Sequence, residues 1–313
     1  PFVRCARLSA CPALLAALIL ISCGDPTTSP SGDGVSPESP GYFEIRVGER
    51  VRDWCERLEA RFANRSDLAV PDCRAVQAVA AELELPDTPR YAFVPGPVAR
   101  LNRFEGLFVP GDYALREGES VSDLITRLHE ASADRLGAAP AAAAIVESPK
   151  LRMTEYRQLT LASIVEKEAA SNREYDRVAA VFLNRLKQND VLGSCPTVEY
   201  ALGYHRPFLL FKDLEIKSPY NVYKRRGLPP TPIAFFSDGA LAAVRRPADT
   251  RDFFFVFDWT TGDLHFAEGY GAHKRNAAAA RKRFIAKFGD GSLYKRYDDL
   301  FYELPREFGE WED

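Results

Sequence analysis

The chain has 313 residues, of which 46% are apolar and 27% are charged; this composition is typical of a globular protein and excludes a disordered chain or one with many membrane spans. The formal net charge of −3 predicts no nucleic-acid partner, because nucleic-acid-binding proteins are usually basic. The length is enough for roughly two or three small domains.

The first 22 residues are typical of an export signal. Arg4 and Arg7 precede an apolar run, Ala13–Ile21, which is too short to span a bilayer but suits the apolar region of a signal peptide. The run ends in Leu-Ile-Ser-Cys at 20–23, which resembles a bacterial lipobox. Lipidation of Cys23 would anchor the chain firmly to a membrane. The alternative is an ordinary signal or signal anchor, in which Cys23 is incidental.

Cysteine usage agrees with export. Outside the predicted signal the chain keeps Cys23, Cys55, Cys73 and Cys195. With Cys23 lipidated, Cys55 and Cys73 either form a structural disulfide, as is common outside the cytosol, or remain two buried thiols. Cys195 is left without a predicted partner.

A tether and a small module follow the signal. Residues 23–41 are rich in Ser, Pro, Gly and Thr, which cannot build a core, and they predict a flexible linker. Residues 42–90 show the order strand (Tyr42–Val47), helix (Val51–Phe62) and second helix (Arg74–Leu85). This order is typical of a LysM-like module, although many small α+β units share it.

The rest of the chain divides into a connecting region at residues 91–150, a catalytic domain at 151–288 and a C-terminal extension at 289–313. A helix is predicted from Val121 to Ala131, with Ser120 or Ser122 as its cap. The catalytic domain has predicted helices Tyr156–Ala170, Glu174–Lys187, Asp238–Arg245 and His273–Phe288, and predicted strands Asp252–Phe257 and Asp263–Ala267. We therefore expect an α+β fold, in which a small LysM-like βα module precedes a mixed α/β catalytic domain with a helix-borne glutamate.

Glu168 is the leading catalytic candidate. In the predicted helix, Leu161, Ile164 and Val165 form an apolar stripe, and Glu168 falls within about 20° of its centre at a helical period of 3.6. Glu166 points to one side. A carboxyl group on a core-facing stripe loses hydration, which raises its pKa toward that of a general acid working near neutral pH. The alternative is a Glu168 that is salt-bridged or faces water at a helix end.

The sequence on and after this helix resembles one known family. Residues 161–168 and 176–186 are similar to motifs of the endolytic murein transglycosylases. Other segments within residues 43–288 are similar to family motifs in the same order. Upstream of the helix these are Glu105-Gly106 with Pro110 and Tyr113. Downstream they are Pro196-Thr197-Val198, Tyr220-Asn221-Val222-Tyr223, Gly227–Ile233, Phe253–Phe257, and Phe266 with His273.

The resemblance implies non-hydrolytic cleavage of the β-1,4 bond between N-acetylmuramic acid and N-acetylglucosamine within a glycan strand. The family's catalytic glutamate corresponds to Glu168, which would protonate the leaving oxygen while the muramoyl 6-hydroxyl attacks its own C1. No cofactor is implied, and the four histidines lack metal-ligand spacing. The family also implies peptidoglycan as the partner, action in the bacterial cell envelope on the periplasmic or extracytoplasmic side, and a role with cell-wall synthases as a terminator of glycan chains.

A sugar-binding groove is expected around Glu168. The candidate substrate-binding residues are Asn184, Ser194, Thr197, Tyr220, Asn221 and Tyr223. Amide groups suit acetamido or carboxylate groups, and tyrosine rings suit stacking on sugars. Asn184 can equally be a helix-surface residue, the segment 220–223 can equally be a packed loop, and Thr197 can equally support the catalytic helix.

Several positions depart from the family pattern. Gly193 and Cys195 stand where the family commonly has an amide and a carboxylate, and Leu264 stands where it has a histidine. These departures motivate a second hypothesis, a catalytically weakened peptidoglycan-binding lipoprotein. A third is a conventional hydrolase that uses water, with Glu166 or a distant Asp as its second carboxylate. A thiol nucleophile at Cys195 is disfavoured, because nothing places a histidine beside it.

Overall fold

The computed structural model describes residues 36–83, 103–137, 153–204 and 209–288. Its elements, in chain order, are β1 (Tyr42–Ile45), α1 (Val51–Arg61), α2 (Cys73–Glu82), β2 (Gly111–Ala114), α3 (Val121–Gly137), α4 (Glu155–Glu168), α5 (Tyr175–Lys187), α6 (Cys195–Leu202), α7 (Asp238–Arg245), β3 (Phe254–Asp258), β4 (Asp263–Ala267) and α8 (Tyr270–Phe288). The described chain falls into two compact units. The N-terminal unit holds the described residues up to Lys167 together with Leu228–Arg245, and the Glu168 unit holds Glu168–Gly227 and the chain from Arg246.

The sheet of the N-terminal unit joins the start of the unit to a strand that the sequence did not predict. β1 pairs with β2 in antiparallel register, with Tyr42 opposite Ala114 and Ile45 opposite Gly111. The order of elements in this unit is therefore strand, helix, helix, strand. β2 was missed because it has four residues, follows Pro110 and begins with Gly111, and these two residue types favour a loop.

An aromatic core holds this unit together. The rings of Phe43 and Tyr113 lie 5.7 Å apart, and those of Trp54 and Phe108 also lie 5.7 Å apart. Each of these side chains is buried, so each removes a large apolar surface from water. Cys55 on α1 and Cys73 at the start of α2 form a disulfide, with a Cα–Cα distance of 5.1 Å. Of the two alternatives for these cysteines, the structure therefore has the disulfide and not two buried thiols.

Glu105 and Gly106 have structural roles in the N-terminal unit. The buried Glu105 carboxylate accepts a hydrogen bond of 3.0 Å from the backbone N–H of Val51, the first residue of α1. A carboxylate there satisfies a free N–H and complements the helix dipole. Gly106 has φ +69°, and a Cβ at this position would lie 2.5 Å from the Cβ of Pro232. Only glycine fits both the conformation and the close approach.

Glu166, which was predicted to point to one side of the apolar stripe, has a structural role in this unit. It is buried, and its Oε2 accepts hydrogen bonds from Ser237 N at 3.1 Å and Ser237 Oγ at 2.7 Å. Ser237 Oγ in turn accepts from Ala240 N at 3.2 Å, at the start of α7. Glu166 therefore fixes the cap of α7.

The Glu168 unit is built on α5, α6 and a β-hairpin covered by α8. β3 and β4 are antiparallel, with Phe255 opposite Phe266. One face of α5 is buried, and its Phe182 packs edge-on against Phe255 with centroids 5.8 Å apart. α6 contributes Val198 to a small core with Cys195 and Leu214. This packing fixes the elements that surround the Glu168 carboxyl.

The mixed helix and strand content confirms the α+β class, and the predicted helices and strands that lie in the described ranges are present to within a few residues of their expected ends. Ser120 is the cap of α3, since its Oγ accepts from Asp123 N at 3.1 Å. The predicted signal at 1–22, Cys23, most of the tether and the extension at 289–313 lie outside the described residues. In the ranges that the structure covers, no helix is long and apolar enough to cross a membrane.

Candidate active site

Glu168 is the last residue of α4 and the first residue of its unit. The chain then leaves the helix, and Glu174 fixes this exit: its Oε2 accepts from Ala170 N at 3.2 Å, and its Oε1 accepts from Leu264 N at 2.7 Å. One carboxylate thus joins the segment after Glu168 to strand β4. This double contact holds the backbone beside the Glu168 carboxyl.

The Glu168 side chain is desolvated, as the helical period predicted. Its exposed fraction is 4%, and Leu161, Ile164 and Val165 of the same helix are fully buried. Burial is the main cause that raises the pKa of Glu168 from 4.5 to about 7. Glu168 therefore exchanges its proton near neutral pH, which is the property that a general acid and base requires.

The start of α6 supplies donors to this carboxyl. The hydroxyl of Ser194 and the backbone N–H of Cys195 favour the ionised form and lower its pKa. Ser194 Oγ is buried and has no partner at strict hydrogen-bonding geometry among the described residues, which makes it a loosely aligned donor. Thr197 is fully buried, and its Oγ1 donates to Ser194 O at 2.7 Å. Thr197 thus braces the turn that carries the donors.

Arg185 and Glu199 were not predicted as site residues, and both act on Glu168. The positive charge of Arg185 lowers the pKa of Glu168, whereas the negative charge of Glu199 raises it. Arg185 is held in place because its Nε donates to Phe253 O at 2.9 Å and its Nη1 donates to Leu192 O. Glu199 is buried and lies one helical turn after Cys195 on the same face of α6. Arg185 lies within residues 176–186, which resemble a family motif, and this resemblance is the feature of the sequence that could have identified it as a site residue.

Two of the predicted substrate-binding amides are used by the protein itself. Asn184 Nδ2 donates to the backbone oxygens of Thr250 and Asp252, both at 2.9 Å, and so holds the chain before β3. Asn221 is buried, and its Nδ2 donates to Leu214 O and to a second carbonyl at 2.9 Å each. These amide N–H groups therefore hold the backbone around the site, and sugar binding by the two residues stays a prediction.

The two tyrosines that were predicted to bind substrate differ in their burial and in their contacts. Tyr220 is buried and packs against the ring of Tyr200 with centroids 4.7 Å apart, which fits the packed-loop alternative. Tyr223 is half-buried, and its hydroxyl lies 3.1 Å from Cys195 Sγ. Tyr223 therefore lies next to the residues at the start of α6 that contact Glu168.

The three departures from the family pattern fall where the structure uses backbone groups. Gly193 N donates to Val222 O at 3.1 Å, the N–H of Cys195 serves Glu168, and Leu264 N donates to Glu174. Gly193 also has φ +60°, a conformation that glycine adopts without strain. At each of these three positions, the contact described here is made by a backbone N–H and does not involve the side chain.

No group of three or more His, Cys, Asp or Glu side chains within the described ranges is arranged to hold a metal ion. The polar groups around Glu168 instead provide donors for a carboxylate, one neighbouring acid and one guanidinium. This arrangement can move a proton to or from an oxygen atom of a bound substrate.

Comparison with known proteins identifies the family. Residues 30–279 match the model of the YceG-like family. The chain is 36% identical over 140 residues to the endolytic murein transglycosylase of Bacillus subtilis (strain 168), covering 45% of this chain and 38% of that protein. It is 34% identical over 181 residues to the endolytic murein transglycosylase of Streptococcus pneumoniae serotype 2 (strain D39 / NCTC 7466), covering 56% and 32%.

The chain thus spans about a third of the length of each of these relatives. Among solved structures, it is similar to a yceG-like protein, lmo1499, from Listeria monocytogenes, with a TM-score of 0.62, 28% identity and 76% coverage of each chain. Because the family model covers most of the chain, this protein belongs to the YceG-like family.

Proposed function

We propose that this chain is an endolytic lytic transglycosylase of peptidoglycan, which cleaves the β-1,4 bond between N-acetylmuramic acid and N-acetylglucosamine with Glu168 as acid and base. The observation that carries the proposal is a buried carboxyl with a pKa of about 7 at the motif position of the family's catalytic glutamate. The names of the curated relatives support the reaction class.

The proposed reaction needs one carboxyl. Protonated Glu168 gives its proton to the glycosidic oxygen as the bond from that oxygen to the muramoyl C1 breaks. The resulting carboxylate takes the proton of the muramoyl 6-hydroxyl as its oxygen bonds to C1, which leaves a 1,6-anhydro end and restores the acid. Because the nucleophile belongs to the substrate, neither water nor a second catalytic carboxylate is required.

The groups around Glu168 favour its protonated form at the first stage of the reaction and its ionised form at the second. Burial and the negative charge of Glu199 favour the protonated state that starts the reaction, whereas Arg185, Ser194 and the Cys195 N–H favour the carboxylate that forms after proton transfer. Such preorganised groups reduce the cost of the charge change in a site with little water.

The second candidate is a peptidoglycan-binding lipoprotein with weakened turnover. It is favoured by the use of the Asn184 and Asn221 amides as donors to the protein backbone, which occupies two groups that were expected to contact sugar. Against it, the departures at Gly193, Cys195 and Leu264 retain backbone hydrogen bonds around Glu168. We therefore rank it below the enzyme.

A hydrolase with Glu166 as the second carboxylate is disfavoured, because Glu166 accepts two hydrogen bonds from Ser237 and so holds the residue that caps α7. Glu199 is the carboxyl group that acts on Glu168. A hydrolase would use it to activate water, and its products would contain oxygen from the solvent.

Anchoring and partners form part of the same proposal. The lipobox-like sequence before Cys23 favours a lipid anchor at the cell envelope, and the strand, helix, helix, strand order of the N-terminal unit favours a LysM-like module that binds glycan. We further propose a role in ending glycan chains alongside cell-wall synthases.

The test is an end-group analysis. The full chain, purified in detergent, is incubated with peptidoglycan in isotopically labelled water, and the products are analysed by mass spectrometry. We expect anhydromuramoyl ends without solvent oxygen. Labelled reducing ends would establish the hydrolase, and binding without products would establish the binding protein.

A further inference from the structure

Three aromatic side chains of the Glu168 unit form a group that the proposed reaction does not use. Phe254 of β3 lies 5.8 Å from Tyr270 and 5.3 Å from His273, both at the start of α8, measured between ring centroids. Tyr270 and His273 lie 6.1 Å apart. The rings of Phe254 and His273 are nearly parallel, with an interplanar angle of 23°. We call these three residues the aromatic platform.

The aromatic platform is open to solvent at Tyr270, whose exposed fraction is 60%. Phe254 and His273 are half-buried. An exposed tyrosine ring supported by two further rings leaves apolar surface in water, and such surface is often a binding site. Burial lowers the pKa of His273, so its ring is neutral at pH 7 and adds an uncharged aromatic face.

Arg185 connects the aromatic platform to Glu168. Its guanidinium carbon lies 5.6 Å from the centroid of Phe254, and its charge acts on both Glu168 and His273. Arg185 therefore lies beside the platform and acts through its charge on the Glu168 carboxyl of the same unit.

The chemistry of the aromatic platform fits a sugar ring. A pyranose ring with equatorial substituents presents C–H groups on a flat face, which can cover aromatic rings and release water. Lys274 is exposed, with its Nζ 5.0 Å from the centroid of Tyr270. It places a positive charge at the edge of the platform, where the carboxylate of a muramoyl lactyl group or of an attached peptide can pair with it.

We propose that Phe254, Tyr270 and His273 form a glycan subsite, on which a hexosamine ring of the strand stacks while a neighbouring muramoyl residue lies at Glu168. Lys274, at the edge of this subsite, pairs with a carboxylate on the lactyl group or peptide of an adjoining muramoyl residue. The inference rests on the proposed function, because it takes peptidoglycan as the ligand.

The test separates binding from turnover. In a Glu168→Gln background, the full chain in detergent is bound to purified sacculi, and the bound fraction is measured against sacculus concentration. Tyr270→Ala should weaken binding roughly three- to tenfold, the amount expected for one aromatic contact, whereas Tyr270→Phe should not. Phe211→Ala is the matched control, since Phe211 is an aromatic residue of the same unit with an exposed fraction of 45%.

With Glu168 intact, Tyr270→Ala should raise KM by a similar factor and leave kcat nearly unchanged. Equal binding and equal KM for Tyr270→Ala and the unchanged chain would overturn the subsite, even where anhydromuramoyl ends form. If the unchanged chain forms no such ends but binds sacculi through Tyr270, the proposed reaction fails and the subsite stands. Circular dichroism of Tyr270→Ala checks that a loss of binding does not reflect unfolding.

Discussion

The Glu168 carboxyl lies among groups with opposite effects on its charge. Burial and Glu199 raise its pKa, while Ser194, Arg185 and the Cys195 N–H lower it, and the result is a pKa of about 7. A group balanced in this way can give a proton and take one back at neutral pH. The same balance makes the pH dependence of activity sensitive to each neighbouring charge.

Glu199→Gln tests the balance. Removing the negative charge of Glu199 lowers the pKa of Glu168, so the acid loses its proton at lower pH. The decline of kcat/KM with rising pH should therefore begin at lower pH than in the unchanged chain. Asp263→Asn, which removes an exposed carboxylate of the same unit, should leave the profile in place. Identical profiles for Glu199→Gln and the unchanged chain would show that Glu199 has no influence on the acid.

At the residue scale, the sequence predicted Glu168 because helical period alone places it on an apolar stripe. The role of Arg185 could not be predicted in this way, since it depends on contacts with Phe253 and Leu192. The backbone contacts of Asn184 and Asn221 could not be predicted either, because an amide donates equally well to a sugar oxygen and to a backbone carbonyl. Only the fold shows which of these acceptors is within reach.

At the scale of elements, the exit of α4 and strand β4 are joined by Glu174. Its two carboxylate oxygens accept from Ala170 N and Leu264 N. Because Ala170 is two residues after Glu168, a shift of this segment would move the carboxyl that we propose as the acid. We therefore propose that Glu174 is a positioning residue for Glu168.

Glu174→Ala should lower kcat by roughly ten- to a hundredfold, as small displacements of a catalytic group do, and should change KM little. Glu174→Gln keeps one acceptor oxygen and should restore part of kcat. The neighbouring Arg173→Ala removes an exposed side chain and serves as the control. A Glu174→Ala variant with the kcat of the unchanged chain would contradict the positioning role.

Most helices could be predicted from hydrophobic period and caps, and α3 begins where Ser120 indicated. β2 could not, because a four-residue strand that follows Pro110 and begins with Gly111 has too little alternation to detect. Its pairing with β1 is a contact between residues about seventy positions apart.

For the whole molecule, the raised pKa of Glu168 has a cost in stability. The folded pKa, about 7, lies above the ordinary value of 4.5, so below pH 4.5 the group is protonated in both states and carries no penalty. As pH rises through 4.5 to 7, the unfolded chain ionises first and the folded state loses stability. At pH 8 the loss amounts to about 3 kcal/mol.

Glu168→Gln removes this penalty. The variant should be more stable than the unchanged chain by up to about 3 kcal/mol at pH 8 and close to it in stability at pH 4. Urea unfolding at the two pH values measures the difference. An equal effect at both pH values would show that the carboxyl carries no raised pKa in the folded protein.

The assignment of Glu168 as the acid and base is tested most directly by comparing Glu168→Gln with Glu166→Gln in a single end-group assay on peptidoglycan. The two residues are two positions apart on α4 and both are buried, but only Glu168 is assigned a proton to transfer. We expect that anhydromuramoyl ends vanish with Glu168→Gln and persist with Glu166→Gln. Anhydromuramoyl ends that persist in Glu168→Gln would contradict its assignment as the acid and base.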